Sequence, residues 1–384
     1  MSDIDTKYAA LGGSGGWLGA PTTAEQVCPD GIGHYRHYQH GSIYWSPATH
    51  AHEVHGLIRD KWAKLGWEKS PLGYPTSDET ASPSGKGRYS AFQGGAILWQ
   101  TGAPEAFESH GAIRGHWGVF GYENGWLGFP LTDESKTPDQ VGRYNHFQGG
   151  SIYWKPSIGA HEAHGDIRAY WAAHGWERNA ALGYPISDEQ SHGTNRYSDF
   201  ENGVLFWHRS NSTTNELVPT TLLGASKSRA EMEAMLAKTI GDQLKAANSR
   251  VYLENGPRIE SISDYSFDGA NVHNRQYVVY TKIGYDVSGL PDPESDITLN
   301  IRVELDRARS AVTATIGQWN VHTHVPWPTS WGQSASGINA QLKAHIDPLV
   351  GVPQIVQVIP QGSLGLILAM KVMPNGDFNT YIQL

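Results

Sequence analysis

Histidine and carboxylate fall together at two places in this 384-residue chain, His52-Glu53-Val54-His55 and His161-Glu162-Ala163-His164. A zinc-binding helix of the peptidase type needs two histidines four residues apart, so that both face one way, with a glutamate base between them. Here the spacing is three, and the intervening copy carries Phe107 where the first histidine would stand. His52, His55, His161 and His164 are therefore weak metal ligands on this pattern. For His55, His110 and His164, each followed by glycine at the apparent start of a helix, a structural hydrogen bond is the simpler role. No metal or other cofactor is expected. Carboxylates recur in Ser77-Asp78-Glu79, Thr132-Asp133-Glu134 and Ser187-Asp188-Glu189. Two readings compete for them: turn and cap chemistry with nearby backbone N–H groups, and polar ligand contacts from Asp78, Asp133 and Asp188. A glycosidase would need one cleft with two carboxyls about 5 to 10 Å apart, and repetition singles out no such pair. The one cysteine, Cys28, excludes an intramolecular disulfide and reads as a small buried hydrophobe.

Eleven of the 14 tryptophans precede residue 210. Sugar rings present apolar C–H faces that pack on aromatic rings, while their hydroxyls need amide, carboxylate and guanidinium partners, so such a composition suits a glycan surface. Trp45, Trp99, Trp154 and Trp207 occupy one strand position in every repeat, and Trp62, Trp117 and Trp171 one helix position; that regularity predicts core packing. The remaining aromatic candidates for ligand contact are Tyr44 and Tyr153 on the opposite strand face, and Trp17, Trp67, Trp126 and Trp176 near a recurring tetrapeptide.

That tetrapeptide organises the elements. Leu18-Gly-Ala-Pro21, Leu72-Gly-Tyr-Pro75, Leu127-Gly-Phe-Pro130 and Leu182-Gly-Tyr-Pro185 are spaced by 54, 55 and 55 residues. A second block follows each, Tyr35 to Trp45, Tyr89 to Trp99, Tyr144 to Trp154 and Tyr197 to Trp207. In it paired glycines such as Gly94-Gly95 suit a tight hairpin turn at positive φ, and the following residues alternate as a strand does. A third block, His-Gly-x-Ile-Arg-x-x-Trp, begins at His55, His110 and His164; Ile58 and Trp62, four apart, share one side of a short helix that Gly66 ends. One repeat is thus a hairpin plus a short helix, too small to cover its own apolar face, so neighbours must stack. Ile4, Tyr8 and Gly12 match Ile58, Trp62 and Gly66, so the chain starts in mid-repeat and the array ends in mid-repeat after Trp207. A closed ring would use this offset to join its ends, the N-terminal helix completing the last repeat; an open array is the alternative.

These residues resemble the LGFP repeat family, whose arrays occur in actinobacterial cell-wall proteins, including the C-terminal part of some mycolyltransferases. The resemblance covers about residues 1 to 210 and implies a β-rich, propeller-like domain of four hairpin-plus-helix repeats with a noncatalytic role in cell-wall association. Arabinogalactan or a peptidoglycan-like polymer is the implied partner. Ala20 replaces the aromatic of the first tetrapeptide, and Glu201-Asn202 replace Gln-Gly in the last hairpin.

Residues 211–220 read as a Ser/Thr/Asn-rich linker, and 221–384 as an α+β domain with an antiparallel sheet. A helix over about 226–247 carries Met232, Leu236, Ile240 and Leu244 on one stripe. Strands alternate over 279–287 and 297–305, and 311–316 pairs back as a meander with one wet face. A Trp/Pro loop at 325–331, a helix near 338–349, and a hairpin of 364–372 with 378–382 complete it. No nucleotide-binding or hydrolase signature is legible there. A net charge of -9 argues against nucleic acid as a partner. No run approaches the roughly 20 apolar residues of a membrane span, and the start lacks the pattern of a secretory signal. The expectation is a soluble protein, cytoplasmic or exported by a non-classical route, acting on extracellular glycan. The expected function is lectin-like binding of microbial cell-envelope polysaccharide, the C-terminal domain supplying dimerisation as a homodimer, lipid contact or an effector action. Alternative readings are a hydrolase of cell-wall glycan or its lipid esters, and a membrane-active toxin or defence protein targeted by the repeats.

Overall fold

The computed structural model describes residues 2–219, 226–247, 250–266, 273–286, 291–306, 309, 311–326, 334–359 and 367–382. Two compact units divide the chain, Met1–Phe200 with Trp207–Thr214, and Glu201–Phe206 with Asn215–Leu384.

The repeats build sheets whose strands follow chain order. Helix α1 (Asp3–Ala10) precedes β1 (Gln26–Val27), β2 (His34–His37), β3 (Gly41–Ser46) and β4 (His50–His55). Helix α2 (Gly56–Leu65) precedes β5 (Thr80–Ala81), β6 (Gly87–Ala91), β7 (Gly95–Gln100) and β8 (Phe107–His110). Helix α3 (Gly111–Val119) leads to β9 (Ser135–Lys136), β10 (Arg143–His146), β11 (Gly150–Lys155) and β12 (Gly159–His164). Helix α4 (Gly165–Ala173) leads to β13 (Gln190–His192), β14 (Asn195–Asp199), β15 (Val204–His208) and β16 (Thr213–Glu216). Each sheet is four-stranded and antiparallel where the expected element was a two-stranded hairpin. The segment after the carboxylate stretch folds back as a short outer strand, and the histidine-bearing segment before the next helix adds the fourth.

The helices decide what is buried. Helix α2 packs on β3 and β4 behind it and on β7 and β8 ahead; α3 packs on β8, β11 and β12. Tyr44 and Val54 of one sheet, Ile58 and Trp62 of α2, and Leu72, Phe92 and Ile97 of the next repeat share one core cluster. A helix wedged between consecutive sheets covers both strand faces, so β3 is buried at every residue except half-buried Trp45. Trp62, Trp117 and Trp171 are at most 1% exposed, and truncating one to Ala would cost about 3–5 kcal/mol.

The tetrapeptide is a clamp. Its glycines Gly19, Gly73, Gly128 and Gly183 have φ of 76, 68, 66 and 72°, a region that L side chains avoid. The hairpin glutamines Gln39, Gln93 and Gln148 accept the N–H of the next residue, Ala20, Tyr74 and Phe129, at 3.0–3.1 Å. Proline bridges the hairpin aromatic in every repeat, Pro21 to Tyr38, Pro75 to Phe92, Pro130 to Phe147 and Pro185 to Phe200. The hairpin glycines serve close approach rather than positive φ: a Cβ on Gly94 would lie 2.1 Å from the Pro71 carbonyl oxygen, and one on Gly95 2.5 Å from that of Ser109.

Helix α1 has a reciprocal Ser2/Asp5 capping box and packs on β3 and β4 of the first repeat, with Ile4 against Leu18, Tyr38 and Ile43. Helices α1, α2 and α3 thus pack on the sheet that follows them in the chain, whereas α4 packs on β11 and β12 before it.

In the second unit, α5 (Arg229–Ala247) precedes β17 (Val251–Ser266), β18 (His273–Tyr285), β19 (Glu294–Asp306) and β20 (Ala311–His324), then α6 (Ala335–Ile346) and β21 (Gln354–Val358). Strands β17 to β21 form one antiparallel sheet in chain order. Strands β22 (Ile367–Val372) and β23 (Phe378–Ile382) pair separately. The alternation along β19 is complete, with Ile297, Leu299, Ile301 and Val303 packed into a cluster that includes Met232 and Leu236 of α5 and Ile338 and Leu342 of α6. The long strand β17 and strand β21 extend the predicted meander. Of the predicted features, the Leu244 side chain and residues 220, 287, 327–331 and 364–366 lie outside the described ones. An apolar cavity of about 50 Å³ lies between helix residues such as Ile240 and Ile346 and sheet residues such as Leu299. No described helix is long and apolar enough to cross a membrane.

Candidate functional site

At each junction between consecutive repeats the same side chains converge. Antiparallel register sets Arg88 opposite Trp99, and Arg143 opposite Trp154, which places each pair on one face of its sheet. Arg88 pairs with Glu79, Arg143 with Glu134 at 3.4 Å and Arg196 with Glu189 at 3.6 Å. The histidine that begins each helix bridges two carboxylates. His55 lies 2.8 Å from Glu53 and 3.2 Å from Glu79; His110 lies 2.8 Å from Glu108 and 3.3 Å from Glu134; His164 lies 2.8 Å from Glu162 and 3.4 Å from Glu189. The inner carboxylates also accept backbone N–H groups, Glu53 from Glu79, Glu108 from Glu134 and Glu162 from Glu189, at 2.9–3.0 Å.

Electrostatics follow from this crowding. Burial disfavours the imidazolium of His55 and His164, yet the paired glutamates outweigh it and both pKa values rise. For His110 the bond to Glu108 is the largest influence and the direction is the same. Burial pushes the Glu134 carboxyl up to about 7, with Glu108 adding to the rise against His110 and Arg143.

The junction between the third and fourth repeats opens into a cleft of about 300 Å³ whose lining includes His164, Asp166, Glu189, Arg196, Trp207 and Arg209. The Trp207 indole N–H donates to Asp166 at 2.8 Å; Leu57 and Ala112 stand at the matching positions of earlier repeats. An indole face beside guanidinium and carboxylate groups can pack a pyranose or furanose ring and bond its hydroxyls. The glutamates are already shared among histidine, arginine and backbone, an arrangement suited to holding a ligand. Sequence regularity had assigned Trp207 to the core. The missed signal is the arginine that recurs eleven residues before the tryptophan at Arg88, Arg143 and Arg196, since only hairpin register brings the two together.

The sequence candidates distribute unevenly about this site. Trp17 and Trp126 are 45% and 46% exposed and lie tilted against His55 and His164 with ring centroids 4.5 and 4.6 Å apart, so Trp126 flanks the imidazole that lines the cleft. Tyr44 and Tyr153 are corrected to core residues: at 3% and 4% exposure, with Trp62 and Trp171 against their rings, they have no face for a ligand. Trp67 and Trp176 stack on those tyrosines, and the guanidinium groups of Arg59 and Arg168 cover them at 5.3 Å. Asp78, Asp133 and Asp188 accept the backbone N–H of Glu53, Glu108 and Glu162 at 3.0–3.2 Å. Each also meets a side chain from a helix two anchors earlier in the chain: Lys7, Lys61 at 2.8 Å, and the His116 imidazole at 2.7 Å. Burial raises Asp78, but the bonds from His52 and Lys7 outweigh it and hold the carboxyl at about 2. His52 turns to Asp78 while His55 turns to Trp17 and Glu53; His161 and His164 divide likewise between Asp188 and Trp126. Three residues apart on a strand, the two histidines of each pair face opposite ways and share no metal position.

Comparison with known proteins gives one informative result. The family model described as "LGFP repeat" matches residues 18–70, 72–125, 127–179 and 182–218, just over half the chain. No curated protein matches. Among solved structures, the extracellular domain of a hybrid two-component system from B. thetaiotaomicron is 12% identical, with 78% of this chain and 32% of that one covered and a TM-score of 0.15. This chain thus spans about a third of that structure's length. The fission yeast SREBP-SCAP binding domains are 7% identical over 94% of this chain and 90% of theirs, with a TM-score of 0.13. Similarity at this level carries no argument about fold or function.

Proposed function

Because this chain belongs to the LGFP repeat family, we propose that residues 1–210 form a noncatalytic, lectin-like array that binds microbial cell-envelope polysaccharide, arabinogalactan or a peptidoglycan-like polymer. The observation that carries this reading is the cleft with Trp207 beside Asp166, Arg196 and Arg209. Its counterparts at the two earlier junctions, around Arg88/Trp99 and Arg143/Trp154, would let one polymer engage several sites, so that weak single contacts add through effective concentration. The reading needs no closed ring; in a propeller-like closure the sites would face successive stretches of a curved rather than an extended polymer.

Calorimetric titration of the full chain with soluble arabinogalactan and with peptidoglycan fragments tests this. Trp207→Ala and Arg196→Ala are each expected to weaken binding about tenfold, the equivalent of about 1.4 kcal/mol for an aromatic or guanidinium anchor. Absence of binding to any microbial polymer, or wild-type affinity in both variants, would sink the reading. For the second unit a smaller proposal stands: edge strand β21, with Ile355 and Val358 53% and 69% exposed, is where a second copy would pair. Sedimentation of Ile355→Lys beside the wild type would decide it, a dimer in both overturning it.

A further inference from the structure

Each of the first three repeats carries a glutamate just after the helix, Glu68, Glu123 and Glu177, and a turn residue after the short outer strand, Asp30, Ser84 and Asp139. We infer that where that turn residue is aspartate, in the first and third repeats, the Asp–Glu pair binds a divalent metal cation. In the first repeat the Cys28 sulfur and carboxylate oxygens of Asp30 and Glu68 all lie within 4.8 Å of one another, a spread that ligands each about 2.0–2.6 Å from one shared ion can occupy. In the third, Thr137 stands in place of the thiol. Its hydroxyl donates to Asp139 at 2.6 Å, and the Tyr184 hydroxyl donates to the same carboxylate at 2.7 Å.

An independent observation points to a ligand. Glu177 is 6% exposed, and neither of its carboxylate oxygens has a hydrogen-bond partner. The peptide N–H groups of Glu177 itself and of Asp139 face it without reaching hydrogen-bond geometry. A buried carboxylate beside a second one, with its own lone pairs unused, lacks what normally compensates removal from water. A divalent ion supplies that compensation, balancing two negative charges with two positive ones. Asp139 is exposed, which opens a path from solvent. The donors of the third repeat are all oxygen and suit a hard cation such as Ca²⁺; sulfur in the first repeat shifts preference toward Zn²⁺. The second repeat, with Ser84 and Phe129 in place of aspartate and tyrosine, serves as an internal control.

Terbium luminescence, excited through tyrosine and tryptophan in the chelator-treated full chain and competed with Ca²⁺, reads the third-repeat site directly. Wild-type protein is expected to give Ca²⁺-competed emission that falls by about half or more in Glu177→Gln and in Asp139→Asn and persists in Glu123→Gln. No competed emission from the wild type, or wild-type emission from both Glu177→Gln and Asp139→Asn, overturns the inference. Should Glu177→Gln fail to fold, the exposed Asp139→Asn carries the comparison. The wild-type melting temperature is also expected to rise in Ca²⁺ over chelator, and equality of the two overturns the inference as well. None of these readouts involves a glycan, so the result is independent of polysaccharide binding.

Discussion

His146 shows how a single residue is set by its neighbours. Its Nδ1 lies 2.7 Å from the Ser151 hydroxyl, which accepts from the Arg168 guanidinium at 2.6 Å; the serine proton therefore goes to a neutral imidazole. Burial, and then the Arg168 charge, push His146 down to about 4, against about 6.5 in an unfolded chain. Between those values the unfolded chain takes up more protons than the folded one, so this contribution to stability is complete above about pH 6.5 and is lost as pH falls toward 4. Thermal melts of the wild type and His146→Gln should show the wild-type advantage shrinking across that window; an advantage that holds constant or grows on acidification would refute the assignment. Glu134 has the opposite sign. Its folded pKa of about 7 exceeds the ordinary carboxylate value, so it costs stability as pH rises from about 4.5 to 7, and Glu134→Gln should remove that loss. Neither shift was legible in the sequence, where His146 is one of 18 histidines and only packing brings Arg168 over it.

At the scale of the element, the repeated motifs explain themselves as fastenings. Gln93→Ala would leave the Tyr74 N–H without its acceptor, a loss of about 1–3 kcal/mol for a buried donor. Gly95→Ala would drive a methyl group to 2.5 Å from the Ser109 carbonyl oxygen, an overpacking cost of about 1–3 kcal/mol. Denaturant unfolding measures both, and a change under about 0.5 kcal/mol in either would mean that the clamp is slack. Helix α1 makes a parallel prediction: Ile4→Ala should cost about 2–5 kcal/mol by opening a cavity against Leu18 and Ile43. The tetrapeptide, the Ile/Trp helix stripe and the terminal Gly66 were all legible, because local spacing dictates them. The four-stranded sheets were not, since their outer strands are only two or three residues long, too short for an alternation pattern, and are defined by pairing with the strand that follows. Strand alternation in turn predicted a free face at Tyr44, which the helix wedged against it removes.

Across the whole molecule, two compact units hold separate cores, one repeating through the first half and one enclosed between α5, α6 and the β17–β21 sheet. Calorimetry of the full chain should therefore resolve two transitions, and Trp117→Ala should lower only one of them; a single transition lowered as a whole would contradict it. What the sequence determined was the number of repeats and the residues that fasten each one, whereas the fourth sheet runs on through Thr213–Glu216, within the stretch expected to be a linker. Repeat number and fastening are consequences of side-chain periodicity and backbone sterics, which act over a few residues. Tertiary structure alone decided that Trp207 borders a cleft while Tyr44 is sealed in, that His52 and His55 face different partners, and that Glu177 and Asp139 meet beneath an anchor tyrosine. Those outcomes depend on which repeat stacks against which, and burial and charge pairing are properties of that stacking.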